Sequence, residues 1–218
     1  MIKSFSAESL IKADRALDHL LLGIADLDQG IEWVREKTGI SAVAGGSHPG
    51  AGTRNALLSL GKHQYLEIIS IDPEQKETSA TATLIRNLKS PQLITWAAAT
   101  ADIQSIKQRA RTGGYHFEGP DNGARVKPDR SELKWRTLRI LNVANVIPFF
   151  IEWDPGTIHP SEDSPSGCRL ENFEISHPKP TQVREILMRL GIAATVNRDS
   201  TAKLSAVLAT PKGRIQIS

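Results

Sequence analysis

Two neighbouring stretches decide how this chain folds: Leu17-Asp18-His19-Leu20-Leu21-Leu22-Gly23, continuing through IADLDQGIEWVREKTG to Gly39, and HPGAGTRNALLSLGKHQYLEIIS from His48 to Ser70. Leu17 to Gly23 is an apolar run of strand length with a histidine inside it, and Tyr65 to Ser70 is a second with Glu67 inside it. Period-2 alternation sets Leu17, His19 and Leu21 on one face and Asp18, Leu20 and Leu22 on the other. Between them Asp26 stands at a helix N-cap position. Ile31, Trp33 and Val34 mark the apolar side of a helix that Gly39 stops. An imidazole and a carboxylate inside apolar strands are costly unless each has a partner. One reading has His19 and Glu67 facing each other across a cupped sheet around a divalent metal. The other makes them a satisfied core histidine and a solvent-facing glutamate.

Outward from this stretch, Ser41 to Ala44 suits a strand, and Gly45 to Gly52 reads as a loop because of its glycines and Pro49. Within it His48 reads as an exposed polar residue. Thr53–Leu60 and His63–Ile71 form a hairpin around Gly61-Lys62. Asp72 to Lys89 gives a polar turn and a helix. Pro91–Thr100 is a strand, and Asp102 is again an N-cap, with Ile103 and Ile106 on the helix before Gly113-Gly114. Counting back from Asp102 as from Asp26 to His19 lands on Thr95. His116 to Arg139 is a loop followed by a strand centred on Trp135. NVIPFFIEW, Asn145 to Trp153, carries Glu152 much as YLEII carries Glu67, which indicates an internal repeat. Glu152 therefore faces either the cup or water. Asp154 to Gly167 is a loop. Leu170–Ser176, Pro180–Leu190 and a closing hairpin at Pro211-Lys212-Gly213 make a further unit, in which His177 belongs to a loop. Residues 1–15 form a short helix, with Leu10 and Ile11 apolar, or a packed arm.

The order LDHLLLGIADLDQGIEWV, HPGAGTRNALLSLG, YLEII, and later Arg125…Lys127-Pro128-Asp129…Leu133-Lys134-Trp135, resembles the glyoxalase-like branch of the vicinal oxygen chelate superfamily. The resemblance implies an α+β fold: tandem βαβββ modules forming a curled, cup-like mixed sheet with helices outside, plus a C-terminal βαββ extension. One glyoxalase-like domain would then span 1–218, with module one at 16–72, a helical linker at 73–90, module two at 91–154 and the extension at 168–218. It also implies metal ligands on the first and last strands of each module. Here these are His19, Glu67 and Glu152, a set suited to Zn, Mn, Fe, Ni or Co. Thr95 stands where a second histidine is often found. Either Glu67 or Glu152 would be the catalytic base, and Thr53, Asn55, Thr95 and Trp135 would touch substrate. The implied function is a divalent-metal-dependent lyase, isomerase or dioxygenase acting on a small oxygenated molecule. The alternative is a metal-free small-molecule binder of the bleomycin-resistance kind.

Composition narrows the remaining classes. The 218 residues give a core of ample size, and a net charge of +3 is spread among interleaved acids and bases. Neither pattern nor motif points to nucleic acid. A single cysteine, Cys168, excludes an internal disulfide and suits a reducing compartment; nothing near it in sequence activates a thiol. No run is long enough to span a membrane, and the N-terminus lacks a signal pattern, so a cytoplasmic protein is expected. A small-molecule ligand and a homodimer complete the expected partners. No nucleophile-elbow motif is present to suggest a hydrolase.

Overall fold

The computed structural model describes residues 10–76, 79–126 and 132–218. Lys127-Pro128-Asp129 of the recurrent segment lies outside the described residues, as do the first nine of the expected leader. The chain begins with β1 (Ile11–Lys12) and a single turn, α1 (Ala13–Ala16). Ile11 and Lys12 are thus strand and not helix, because they pair in parallel with Ile192 and Ala193 near the far end of the chain.

The first module follows as β2 (Leu17–Gly23), α2 (Leu27–Thr38), β3 (Val43–His48), β4 (Thr53–Gly61) and β5 (Gln64–Ile71). The linker helix is α3 (Ala80–Arg86). The second module repeats the order as β6 (Gln92–Ala99), α4 (Ile103–Thr112), β7 (Phe117–Val126), β8 (Glu132–Ile140) and β9 (Phe149–Trp153). A short α5 (Pro160–Asp163) interrupts the expected loop. After it come β10 (Arg169–His177), α6 (Pro180–Arg189), β11 (Ile192–Ala193), β12 (Val196–Arg198), β13 (Lys203–Thr210) and β14 (Gly213–Ile217).

Eight strands form one curled sheet in the order β3-β4-β5-β2-β6-β9-β8-β7. β2 and β6 lie antiparallel at its centre, and each runs parallel to the last strand of its own module. Both module helices start as the sequence predicts. Asp26 accepts from the Gln29 amide at 2.9 Å and Asp102 from the Ser105 amide at 3.0 Å, satisfying orphan first-turn donors. Gly39 ends α2 with φ of 83°, the left-handed conformation that glycine tolerates.

The sheet's outer face carries the main core. Leu20, Leu22, Trp96, Ala98 and Phe150 pack beneath the helices and the C-terminal four-stranded sheet β12-β10-β13-β14. Trp96 is held there by its indole N–H, which donates to the Val146 carbonyl at 2.8 Å, and by the Phe173 ring at 5.0 Å. On the inner face Leu21, Ile69 and Ile94 meet Ile85 of α3, so the linker helix closes one end of the cup. Each such buried aliphatic side chain contributes about 2 kcal/mol of transfer free energy.

Two segments read as loops are strands. β3 continues through Gly45 to His48, with a bulge between Ala44 and Gly46. β7 runs through Gly119-Pro120-Asp121, where a bulge between Glu118 and Asp121 absorbs the proline. Both are edge strands, where glycine, proline and bulges are tolerated because one side of the ladder is unpaired. These two edges approach each other: a Cβ added at Gly46 would sit 3.3 Å from the Arg125 side chain. Among the described residues no helix is long and apolar enough to cross a membrane.

Candidate functional site

The cup encloses a cavity of about 820 Å³. Leu21, Leu57, Ile69, Phe149, Trp135 and Trp153 supply apolar wall, and His19, His48, Asn55, Glu67 and Arg125 form a polar end. Thr53, Asn55, Thr95 and Trp135, all expected to touch substrate, border this space.

β2 does not alternate simply. Leu17 pairs with Ala98 and His19 with Ala97, so Asp18 is an extra, bulged residue. A bulge re-aims side chains. Leu17 joins the outer core, while Asp18 turns to the side of His19. This corrects the expected placement of both residues. Asp18 Oδ1 accepts from His19 Nδ1 at 2.7 Å, and Asp18 Oδ2 accepts from Trp153 Nε1 at 2.9 Å and His159 Nε2 at 3.2 Å. Burial pushes the Asp18 carboxyl up, but hydrogen bonds from His159 and His19 outweigh it and hold the group well below the usual carboxylate range. Asp18 is an ionised acceptor.

With Nδ1–H committed to Asp18, His19 presents Nε2 to Glu67 Oε2 at 3.4 Å. Tyr65 stacks on its ring at 4.5 Å between centroids, and Phe149 meets the ring edge-on at 5.6 Å. Glu67 Oε1 accepts from Asn55 Nδ2 at 2.7 Å. The same amide group reaches His48 Nε2 at 3.1 Å, and Arg125 Nη1 donates to Asn55 Oδ1 at 2.8 Å, which fixes the amide's orientation. His48 Nδ1 then donates to Thr53 Oγ1 at 2.9 Å. Burial pushes the His48 imidazole down against the pull of Glu67. Burial would likewise raise the Glu67 carboxyl. His19, His48, the Asn55 hydrogen bond and Arg125 together bring it below its ordinary value.

His48 is therefore part of the cup and not an exposed loop residue. Its place on an edge strand of glycines left no apolar pattern to reveal it. Asp18, Tyr65, Arg125 and His159 were also not singled out as site residues. The pairing that gathers them is long-range.

Glu152 is not brought to this point. Its Oε2 accepts from the Ile103 amide at 3.1 Å and pairs with Arg136 at 2.9 Å, at the start of α4 on the outer face. Its neighbours Ile151 and Trp153 face the cavity instead. Leu21 and Ala97 each stand five residues before their N-caps, and their partners on the last strands are Glu67 and Phe149. Thus Phe149, not Glu152, is the second module's counterpart of Glu67.

The metal that the resemblance implies would need donors from both modules. His19 Nε2 and Glu67 Oε2 are spaced as two ligands of one ion could be. The second module offers only Thr95 and Phe149 at the matching places, and His48 Nε2 already faces the Asn55 amide. Among the described residues no three His, Cys, Asp or Glu side chains are grouped to hold a metal ion. The residues present do not fit an ion held from both modules.

Among solved structures, a hypothetical protein from Staphylococcus aureus is similar to this chain with a TM-score of 0.68 at 16% identity, over 86% of this chain and 87% of that one. A methylmalonyl-CoA epimerase from Mycobacterium tuberculosis is similar with a TM-score of 0.50 at 23% identity, over 69% of this chain and 94% of that one. At these identities the likeness is one of fold. No match was found among curated proteins. The family model described as "Glyoxalase-like domain" matches residues 17–191. With that match, the tandem modules and the curled sheet, the chain belongs to the glyoxalase-like domain family of the vicinal oxygen chelate superfamily.

Proposed function

We propose that this protein is an enzyme that moves a proton on a small oxygenated molecule bound in the cup, in the manner of an isomerase or lyase. The observation that carries the reading is the buried contact between His19 Nε2 and Glu67 Oε2, backed by Asp18 on the other ring nitrogen. At 3.4 Å two facing lone pairs repel, so a cation belongs between them. Among the described residues no third metal donor is grouped with them, and we take that cation to be a proton. Glu67 takes a proton from carbon beside a carbonyl, and the electron pair moves to the carbonyl oxygen. The His19 Nε2–H donates to that oxygen, where charge develops. The charges that keep Glu67 ionised also weaken it as a base, so the reaction depends on His19 polarising the substrate.

A divalent ion such as Zn, Mn, Fe, Ni or Co would rest on His19 and Glu67 alone, with water or substrate at its other positions. A metal-free binder is the second reading. It is favoured by Phe149 at the place that matches Glu67 and by the aromatic walls of Trp135 and Trp153. We take the ligand to be a small molecule, and the compartment to be the cytoplasm, a reading that the lone buried thiol of Cys168 supports.

The test incubates chelator-treated protein in D2O with a panel of small 2-oxo and 1,2-dicarbonyl compounds and follows C–H exchange by NMR. Exchange by wild type and by Glu152→Gln, with loss of about a hundredfold or more in Glu67→Gln, is the expected result. Binding without exchange would replace the enzyme by the binder.

A further inference from the structure

The proposed chemistry leaves one buried imidazole unexplained. His159 lies outside both modules, just before α5, yet its ring packs edge-on against Tyr65 at 5.6 Å and Trp153 at 5.4 Å beneath the cup. Its proton can be placed by elimination. The Ser161 backbone N–H points at His159 Nδ1 at 3.2 Å, and a peptide N–H only donates. Nδ1 is therefore the acceptor, and it also takes the Ser161 hydroxyl at 2.8 Å. The ring proton sits on Nε2, which faces Asp18 Oδ2. Trp153 Nε1, which can only donate, bonds the same oxygen at 2.9 Å.

We propose that His159 and Trp153 are positioning residues that pin Asp18 Oδ2, so that Asp18 Oδ1 holds the His19 Nδ1–H and keeps Nε2 aimed at Glu67 and the substrate. A carboxylate free to rotate would share its oxygens between these donors, and the His19 ring could then turn. Two rigid aromatic N–H groups on one oxygen prevent that. The segment after the second module thus completes the polar end of the cup from below, and Pro160, next in the chain, borders the cavity. Both residues act through Asp18 on His19 rather than on substrate. The inference rests on the proposed role of His19 for its catalytic meaning, but the hydrogen-bond arrangement is testable without turnover.

The experiment is imidazole 15N–1H NMR on the full chain, reading the His19 Nδ1–H resonance and its exchange with water. In wild type His19 is Nδ1-protonated with a slowly exchanging, downfield proton. His159→Leu removes one donor to a buried carboxylate, and exchange of that proton speeds up by at least about tenfold. His159→Gln, whose amide can replace Nε2–H, restores slow exchange. Trp153→Phe removes the second donor while keeping an aromatic ring in place, and shifts exchange in the same direction. It also serves if His159→Leu does not fold. An unchanged His19 Nδ1–H in folded His159→Leu or Trp153→Phe overturns the proposal. Failure of the proposed chemistry would instead leave wild type without carbon-acid exchange while this resonance still responded to His159.

Discussion

Replacing Asp18 with Asn tests the buried polar end most severely, because the side chain keeps its shape and loses its charge. In the folded protein the carboxylate accepts three hydrogen bonds, from His19 Nδ1 at 2.7 Å, Trp153 Nε1 at 2.9 Å and His159 Nε2 at 3.2 Å. An asparagine has one accepting oxygen. If that oxygen stays with Trp153 and His159, its NH2 group faces the His19 N–H, donor against donor. If it turns to His19, two donors lose their partner instead. The first arrangement is the cheaper: the His19 N–H loses its charge-assisted hydrogen bond, and the new amide NH2 is a second donor without an acceptor. Such a bond is worth about 1.5–3 kcal/mol, and an unsatisfied buried donor costs about 1–3 kcal/mol. Asp18 is 1% exposed, so water offers no relief. The expected loss is about 3–5 kcal/mol, the range found when a buried charged pair is broken. For a chain of this length that lowers the melting temperature by roughly 10 °C. Urea titration at pH 7 with far-UV circular dichroism gives the free energy, and a thermal scan gives the shift. A variant within about 1 kcal/mol of wild type would refute the reasoning. It would show that Asp18 is not the shared acceptor of three buried donors.

Other expectations follow from the same geometry. Glu152→Gln removes a partner of Arg136 and weakens an acceptor at the start of α4; it should cost about 1 kcal/mol and leave ligand binding unchanged, as urea titration and calorimetry will show. Gly45→Ala places a Cβ against Asn55 Oδ1 and Arg125 Nη1, so the buried Arg125–Asn55 hydrogen bond must open; ligand affinity measured by calorimetry should fall by about tenfold and stability by about 1–3 kcal/mol. Asp18 and Glu67 both have folded values below their unfolded ones, so between those values the unfolded chain binds more protons and stability rises with pH. Their contribution is complete above about pH 5 and is lost as pH falls through the folded values, and urea titrations from pH 7 to pH 3 should show a shallower loss in Asp18→Asn.

Much of this arrangement was legible in the sequence because it is local. Asp26 and Asp102 announced two helices at like places, Gly39 stopped the first, and apolar runs of strand length fixed β2, β5 and β6. Those signals, with the resemblance, led to the curled sheet and to a cup bordered by His19, Glu67, Asn55, Thr53, Thr95 and Trp135. What misled was pairing. Glu152 stands in FFIEW much as Glu67 stands in YLEII, but Ala97 pairs with Phe149, and Glu152, an odd number of residues further on, turns its side chain to the opposite face. The bulge at Asp18 reversed the faces of Leu17 and Asp18 in the same way, and no sequence pattern marks where an extra residue enters a ladder. His48 and Arg125 lie on edge strands whose glycines and prolines resemble loops. His159 reaches Asp18 across 141 positions of chain, beyond any local reading.

We hold that a proton, and not a metal ion, lies between His19 and Glu67. Calorimetric titration of chelator-treated wild type and His19→Ala with Zn²⁺, Mn²⁺, Fe²⁺, Ni²⁺ and Co²⁺ tests it most directly. Weak, unsaturated heats that are equal for the two proteins are the expected result. Stoichiometric uptake by wild type at micromolar concentration, abolished in His19→Ala, would contradict it and return the cup to metal-dependent chemistry.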